Sequence, residues 1–173
     1  MKLAVVLLLL VACFVLSAPG TSLVTWDTPE FTITFEPGED VLLEAVMAKV
    51  NVTFETGEEG VAEIPRLNFR TEDKRLHGQI SVARYSEPQD PKWFDDDCLA
   101  VIIELYRSEN VTGQKKIFYK GQEALAVSYK SEVFGDATTA NVMAGCYVMT
   151  VSSSADVFDG IIKTLSLQEK PFG

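Results

Sequence analysis

Side chains able to do acid–base, metal or nucleophilic chemistry form no recognisable pattern in this sequence. Carboxylates are plentiful, with 25 Asp and Glu residues, but no pair of them stands out. His77 is the only histidine, so no second imidazole can share a metal ion with it. The run Asp95-Asp96-Asp97 supplies carboxylates of the kind that calcium binds, but the spacing and the closing glutamate of an EF-hand are missing. No Gly-x-Ser-x-Gly, Cys-x-x-Cys or phosphate-loop motif occurs. We therefore expect no catalytic residue, no metal site and no cofactor.

Two cysteines offer a covalent link. Cys98 and Cys146 lie in the main part of the chain, and an oxidising compartment lets a disulfide between them persist. A bridge that closes a loop of this length stabilises a fold by about 4 kcal/mol. Two buried thiols are the alternative, because cysteine is among the most buried residue types. The sequence leaves both open, since it does not show the distance between the Cα atoms.

The N terminus has the composition of an export signal. Met1-Lys2 precede an unbroken apolar run from Leu3 to Leu16, and small residues follow, as in a secretory signal peptide. The run is too short to span a bilayer, which needs about 20 apolar residues. We predict a signal peptide over residues 1–17, cleaved before Ala18, and an extracytoplasmic location in the cell envelope or outside the cell.

Lipidation is the alternative fate of this leader. Leu10-Val11-Ala12-Cys13 resembles a bacterial lipobox, in which the cysteine is lipidated and becomes the new N terminus. Against it, Phe14-Val15-Leu16 continue the apolar run where lipoproteins usually turn polar. Membrane attachment through a lipid on Cys13 therefore stays open beside cleavage before Ala18.

The charge of the chain limits its partners. Its 15 basic and 25 acidic residues give a net charge of −10, which disfavours binding to nucleic acid and to anionic membrane surfaces. Asn51 and Asn110 each begin an N-glycosylation pattern, so both are candidate acceptors on surface loops or strands. The partner that we expect is a protein.

The elements predicted first along the chain are strands. Residues 18–30 contain prolines and few periodic apolar residues, so we interpret them as a linker. Phe31 to Phe35 alternates apolar and polar residues, which is typical of a half-buried strand. Alternation returns from Val46 to Phe54 and from Gln79 to Tyr85, and Pro65 marks the strand between them as an edge or a bulge.

Two helices are predicted in the second half. Asp90-Pro91 is a strong helix start, and apolar residues then recur at three- and four-residue spacing. A hairpin turns at Gly121, and the apolar stretch from Thr139 to Val151 predicts one central strand buried on both faces. Ser153 is predicted to cap the final helix. We therefore predict a single domain over residues 31–170, an α+β fold with a mainly antiparallel β-sheet flanked by helices.

The order of elements in the second half resembles that of the PsbP-like family, first known from an extrinsic photosystem II protein. The resemblance is carried by the hairpin Phe118 to Ala124, the strand end Cys146 to Ser152 and the helix Asp156 to Leu167. Phe31 to Pro37 resembles the first strand of that family, but Gly38-Glu39-Asp40 stands where a tryptophan commonly follows. The resemblance implies an α/β/α sandwich and a binding or assembly role at a membrane-associated complex.

Two functions follow as expectations. The first is a non-catalytic interaction or assembly module, because the family resemblance implies one and catalytic groups are missing. The alternative is a carrier of a small ligand or lipid in the cell envelope, with Met143, Met149 and Phe158 lining a cavity between sheet and helices. Trp26 and Trp93 are candidates either for a binding surface or for buried packing.

Overall fold

The computed structural model describes residues 23–53, 59–106 and 108–171, and within these ranges the chain forms ten β-strands and two α-helices. The strands are β1 (Val24–Asp27), β2 (Phe31–Phe35), β3 (Leu42–Thr53), β4 (Glu59–Arg70), β5 (Leu76–Arg84), β6 (Val111–Tyr119), β7 (Gln122–Ser131), β8 (Gly135–Ala144), β9 (Tyr147–Ser154) and β10 (Ser166–Glu169). The helices are α1 (Pro91–Tyr106) and α2 (Ala155–Thr164), and a 3₁₀ turn over Ser108–Asn110 follows α1.

The strands form two antiparallel sheets. The large sheet has the order β3-β4-β5-β9-β8-β7-β6, and the small sheet has the order β1-β2-β10. Lys120 and Gly121 both have positive φ at the β6–β7 turn, as a two-residue hairpin of type I′ requires. The large sheet is thus one continuous layer whose two edges are β3 and β6.

The main core lies where the small sheet and α2 pack on one face of the large sheet, which we call the inner face. Phe31, Ile33 and Phe35 of β2 are all buried there, because residues two apart on a strand share a face. Phe158 and Ile161 are buried on the same side from α2. The large sheet contributes a buried apolar set that includes Leu67, Phe69, Ile80, Val82, Met149 and Val151.

The opposite, outer face of the large sheet is covered by α1 over part of its width. The packing of α1 is chiefly on β7 and β8. Asp90 Oδ1 accepts the N–H of Lys92 at 3.0 Å, which caps the start of the helix. Asp95 Oδ1 accepts the N–H of Leu125 at 2.7 Å, just outside the β7–β8 pairing that begins at Ala126. The Asp95 carboxylate therefore satisfies a strand donor that is not paired with β8.

The predicted α/β/α sandwich, with helices flanking the sheet, is wrong. A second sheet shares the inner face with α2, and α1 packs chiefly on β7 and β8 of the outer face. Thr139 to Val151 is not one central strand, because Gly145 with a φ of 60° turns the chain between β8 and β9. Val24–Asp27, inside the predicted linker, forms β1. The fold is two packed antiparallel sheets with two helices in the described part of the chain.

Several local predictions are confirmed. β2 spans the predicted residues Phe31–Phe35, α1 begins at Pro91, and the hairpin turns at Gly121. The predicted cap of the final helix is wrong by one residue, since Ser154 precedes α2, and its side chain makes no capping hydrogen bond. Among the residues with described positions, no helix is both long enough and apolar enough to cross a membrane.

Candidate functional site

His77 lies in β5 beside the register shift between β4 and β5. Its side chain is 10% exposed, and its Nδ1 lies 3.3 Å from Ser154 Oγ and 3.5 Å from Glu39 Oε1. Both neighbours face the same ring nitrogen, whereas a Ser–His–acid relay uses one nitrogen for each partner. The arrangement therefore orients the ring and does not form a catalytic triad.

The three consecutive aspartates are separated by their contacts. Asp95 is engaged with the N–H of Leu125, Asp96 is exposed, and the side chain of Asp97 lies outside the described residues. No group of three His, Cys, Asp or Glu side chains that could hold a metal ion is found in the described ranges. Asp95 thus has a structural contact that the sequence did not predict.

The other predicted sites lie only partly within the residues that the structure describes. Cys146 is half-buried in the β8–β9 turn, but the side chain of Cys98 on α1 lies outside the described residues, so the disulfide stays a prediction. Asn110 ends the 3₁₀ turn and is half-buried. Asn51 belongs to β3, with its side chain outside the description. Cys13 and the predicted cleavage site lie outside the described residues altogether.

The side chains expected to line a ligand cavity do not come together. Met149 and Phe158 are buried in the inner core, whereas Met143 belongs to a separate cluster on the outer face. Trp26 is buried in the small sheet and forms no binding surface, and the side chain of Trp93 is outside the described residues. These residues therefore do not line one ligand cavity, and the carrier function stays a prediction.

The open edge of β3 offers backbone groups for binding in the described part of the chain. β3 has 12 residues and pairs with β4 from Leu42↔Arg70 to Thr53↔Glu59 without a register shift. β5 pairs with β4 only over Arg66 to Arg70, so the distal half of the β3–β4 hairpin extends past β5 as a two-stranded ribbon. The far side of β3 carries no strand in the described structure. Its outward N–H and C=O groups are therefore free to pair with another chain.

Apolar side chains flank this edge on both faces. Leu42 and Val46 lie on the outer face, and Met47 and Val61 lie on the inner side of the ribbon. Leu42, Met47 and Val61 are 53%, 58% and 61% exposed. Single exposed apolar residues need no explanation, but four along one hairpin are typical of an interaction surface.

A groove begins at the base of this edge. It has a volume of about 390 Å³, is open to solvent, and is lined by Leu42, Leu43, Glu44, Arg70 and Lys74. Leu43 faces the core while Leu42 is exposed, so the groove offers an apolar wall beside charged groups. A side chain from a strand added to β3 could be anchored there.

The charged residues of β3 do not protect its free edge. Glu44 and Lys49 are the only two in the strand. Glu44 Oε2 lies 3.3 Å from Arg70 Nη2, and Lys49 Nζ lies 3.7 Å from Glu63 Oε1. Both partners belong to β4, so these side chains lean toward β4 and away from the open side.

The sequence predicted a strand here but not that it forms an edge. The sequence interpreted the strand that contains Pro65 as an edge or a bulge, because proline has no N–H to donate. In the structure this strand, β4, lies between β3 and β5 and has a register shift at Phe69/Arg70, so it is not an edge. In the structure Pro65 lies one residue before the β4–β5 pairing begins at Arg66. The proline therefore marks where the pairing of β4 with β5 ends and the ribbon starts.

Comparison of the chain with protein-family models, with curated proteins and with solved structures finds no match. Nothing in these comparisons links the chain to the PsbP-like family, and that resemblance stays a prediction.

Proposed function

We propose that the protein is a non-catalytic interaction module that binds an extended segment of a partner protein as an additional strand along β3. The observation that carries the proposal is the uninterrupted free edge of β3, 12 residues long. An added strand satisfies the outward backbone groups, while its alternate side chains contact the exposed apolar residues on either face. The backbone supplies affinity, and the groove beside Leu42 supplies selectivity.

The chemistry of the partner segment follows from charge. The chain carries a net charge of −10, so a strongly acidic segment is repelled, and a basic or neutral one associates faster. Met47 and Val61 favour apolar residues at the positions that face them. The partner is therefore an extended, apolar segment with basic flanks.

We place this binding outside the cytoplasm, because residues 1–17 have the composition of an export signal. A lipid on Cys13 would hold the module at a membrane surface, and cleavage before Ala18 would release it. Neither fate changes the β3 edge.

The test is a selection of displayed random peptides on the full chain, followed by affinity measurement on variants. The Val46→Lys/Met47→Lys double variant places a charge on each face of β3 at exposed positions. We expect selected peptides to bind this variant at least about tenfold more weakly, or about 1.4 kcal/mol. Phe118→Lys is the matched control, because Phe118 is 67% exposed on the other edge strand, β6.

Hydrogen exchange provides the second measurement. Peptide binding should slow exchange of the β3 amides and leave β6 unchanged. Failure to select any peptide, or peptides that bind the β3 variant as tightly as the unmodified chain, would contradict the proposal. If the unmodified chain self-associates and the β3 variant does not, the strand that pairs with β3 comes from a second copy of this chain and not from a foreign protein.

A further inference from the structure

Arg66 is the arginine whose contacts differ from those of the others in the described structure. It lies on the outer face of β4, and its Nε donates to Ser81 Oγ at 2.9 Å. Ser81 is buried, and Arg66 itself is half-buried. The guanidinium is therefore directed toward β5, across the part of the outer face that α1 leaves uncovered.

No carboxylate of the described residues pairs with Arg66, although acidic residues outnumber basic ones by 25 to 15 in the chain. Arg70 pairs with Glu44, and Arg75 pairs with Asp73 at 2.6 Å. Glu44 is the carboxylate on the same face nearest in register, and it is already shared between Arg70 and Asn68. Arg66 has one neutral partner where the comparable arginines have an acidic one.

The surroundings of Arg66 are neutral hydrogen-bonding side chains. Arg66 is paired in register with Ser81, Ser81 with Thr150, and Thr150 with Asn141, so these four form one row across the outer face. The next row holds Asn68, Gln79, Ser152 and Thr139. Thr150 Oγ1 donates to Asn141 Oδ1 at 2.7 Å, and Thr139 Oγ1 donates to Ser152 Oγ at 2.8 Å. These bonds fix the rows, and Asn141 at the far end donates to the Phe94 carbonyl of α1. The one carboxylate in register with the second row is Glu44, opposite Asn68, and it is held by Arg70 and Asn68.

We propose that Arg66 is the centre of an oxyanion-binding site on the outer face over β4 and β5, which takes a carboxylate or phosphate group. A guanidinium has five N–H donors, and the bond to Ser81 uses the one on Nε. The two terminal nitrogens remain as a planar fork that matches two oxygens of a carboxylate or phosphate. The neighbouring pair in register on this face is Asn68 and Gln79, and the Asn68 amide donates to Glu44 Oε2. The site does not depend on strand addition at β3.

The probes are inorganic phosphate and acetate, each titrated into the full chain at constant ionic strength. The arginine Nε–H resonances are followed by NMR, because the fork and the reporting atom belong to the same guanidinium. We expect a saturable shift of the Arg66 resonance with a dissociation constant on the order of 1 mM. Saturation with phosphate alone assigns a phosphate group, and saturation with acetate assigns a carboxylate.

Variants separate the site from general charge. Arg66→Gln should weaken binding at least about tenfold, and Arg66→Lys should lose part of it because a lysine has no fork. Arg75→Gln is the matched control, since Arg75 is exposed and paired with Asp73. The proposal is overturned if neither ion gives a saturable shift at Arg66 in the unmodified chain, or if Arg75→Gln weakens binding as much as Arg66→Gln. The titration of the unmodified chain decides the question even where Arg66→Gln fails to fold.

Discussion

β3 and β6 are the two edges of the same sheet, and they are built differently. β6 carries Lys115 and Lys116, which pair with Asp159 at 2.6 Å and Glu123 at 2.7 Å. Its pairing with β7 shifts register near Gly113. β3 has the same antiparallel pairing with one neighbour but no register shift over its 12 residues, and its exposed side chains are largely apolar.

Lysines and bulges are the devices by which edge strands resist unwanted pairing. β6 has the register shift that β3 lacks, so the uninterrupted pairing of β3 is not a general property of this sheet. The α1 helix adds to the contrast, since it packs on β7 and β8 and leaves β3 uncovered. The β6 side of the sheet is thus protected against pairing with an added strand, whereas the β3 side is available for such contact.

The strongest test of this contrast separates the stability of the two sides. In Gly78→Ala, the new Cβ would lie 2.2 Å from two Phe69 ring atoms and 2.9 Å from Ser153 Cβ. Overpacking here displaces Phe69, which anchors β4 in the core, so we expect a loss of about 3 kcal/mol. Hydrogen exchange should show β3 and β4 losing protection before β6 and β7.

The matched control for this change is Gly113→Ala in β6, where no heavy atom lies within 4 Å of the new Cβ. Its stability in urea should change by less than about 0.5 kcal/mol. Equal losses in the two variants would show that the β3 side is not the more sensitive one.

The second test concerns alkaline stability on the closed side. Tyr119 ends β6 and is buried, and burial raises its pKa to about 12. Because the folded pKa exceeds the ordinary value of 10.0, this contribution is fully present below about pH 10 and is lost as the pH rises through about 12. Two pKa units correspond to about 2.7 kcal/mol.

The expected outcome is that Tyr119→Phe unfolds at a higher pH than the unmodified chain, when unfolding is followed by circular dichroism during titration. In the unmodified chain, the tyrosinate absorbance that comes from Tyr119 should appear at the same pH as unfolding. Ionisation well before any loss of structure would contradict the burial argument.

The third test removes the link between α1 and the sheet. Asp95→Ala leaves the N–H of Leu125 without its acceptor at 2.7 Å, and loss of a charged hydrogen bond costs about 2 kcal/mol. Asp96→Ala, at the adjacent exposed position, should leave the midpoint of chemical unfolding unchanged. Similar midpoints for both variants would mean that the Asp95 contact contributes little.

The smallest effect on stability is expected from opening the closed edge. Lys116→Val removes a charge from β6, so the edge should pair with other molecules, and sedimentation should show concentration-dependent association. Lys130→Val removes a lysine from β7, an interior strand, and should not associate. If both variants associate, surface charge and not edge protection explains the result.

The sequence predicted local elements better than their arrangement. The alternation at Phe31–Phe35 and the Asp90-Pro91 start of α1 are signals within a few residues, and both are confirmed. The single strand predicted over Thr139 to Val151 would place Val142 and Val148 on one face, but they lie on opposite faces. The two-residue turn at Gly145 reverses the alternation, and an apolar stretch of this length hides that turn.

The candidate site depended on information that periodicity does not contain. That β3 is an edge follows from strand order, which is set by pairings such as β5 with β9 between distant parts of the chain. The neutral partner of Arg66 follows from the register of β4 against β5. Pro65 indicated an edge or a bulge in its own strand, β4, which is an interior strand, so no local signal identified β3 as the edge.

β2 lies between the earliest strand in the described chain and the latest. Lys170 Nζ donates to the Thr28 carbonyl across 142 positions of sequence, so the small sheet is completed only after β10 has been synthesised. Under the proposed export, a chain whose small sheet forms this late remains unfolded enough to pass through a translocation channel. The small sheet then packs on the core only after β10 has crossed.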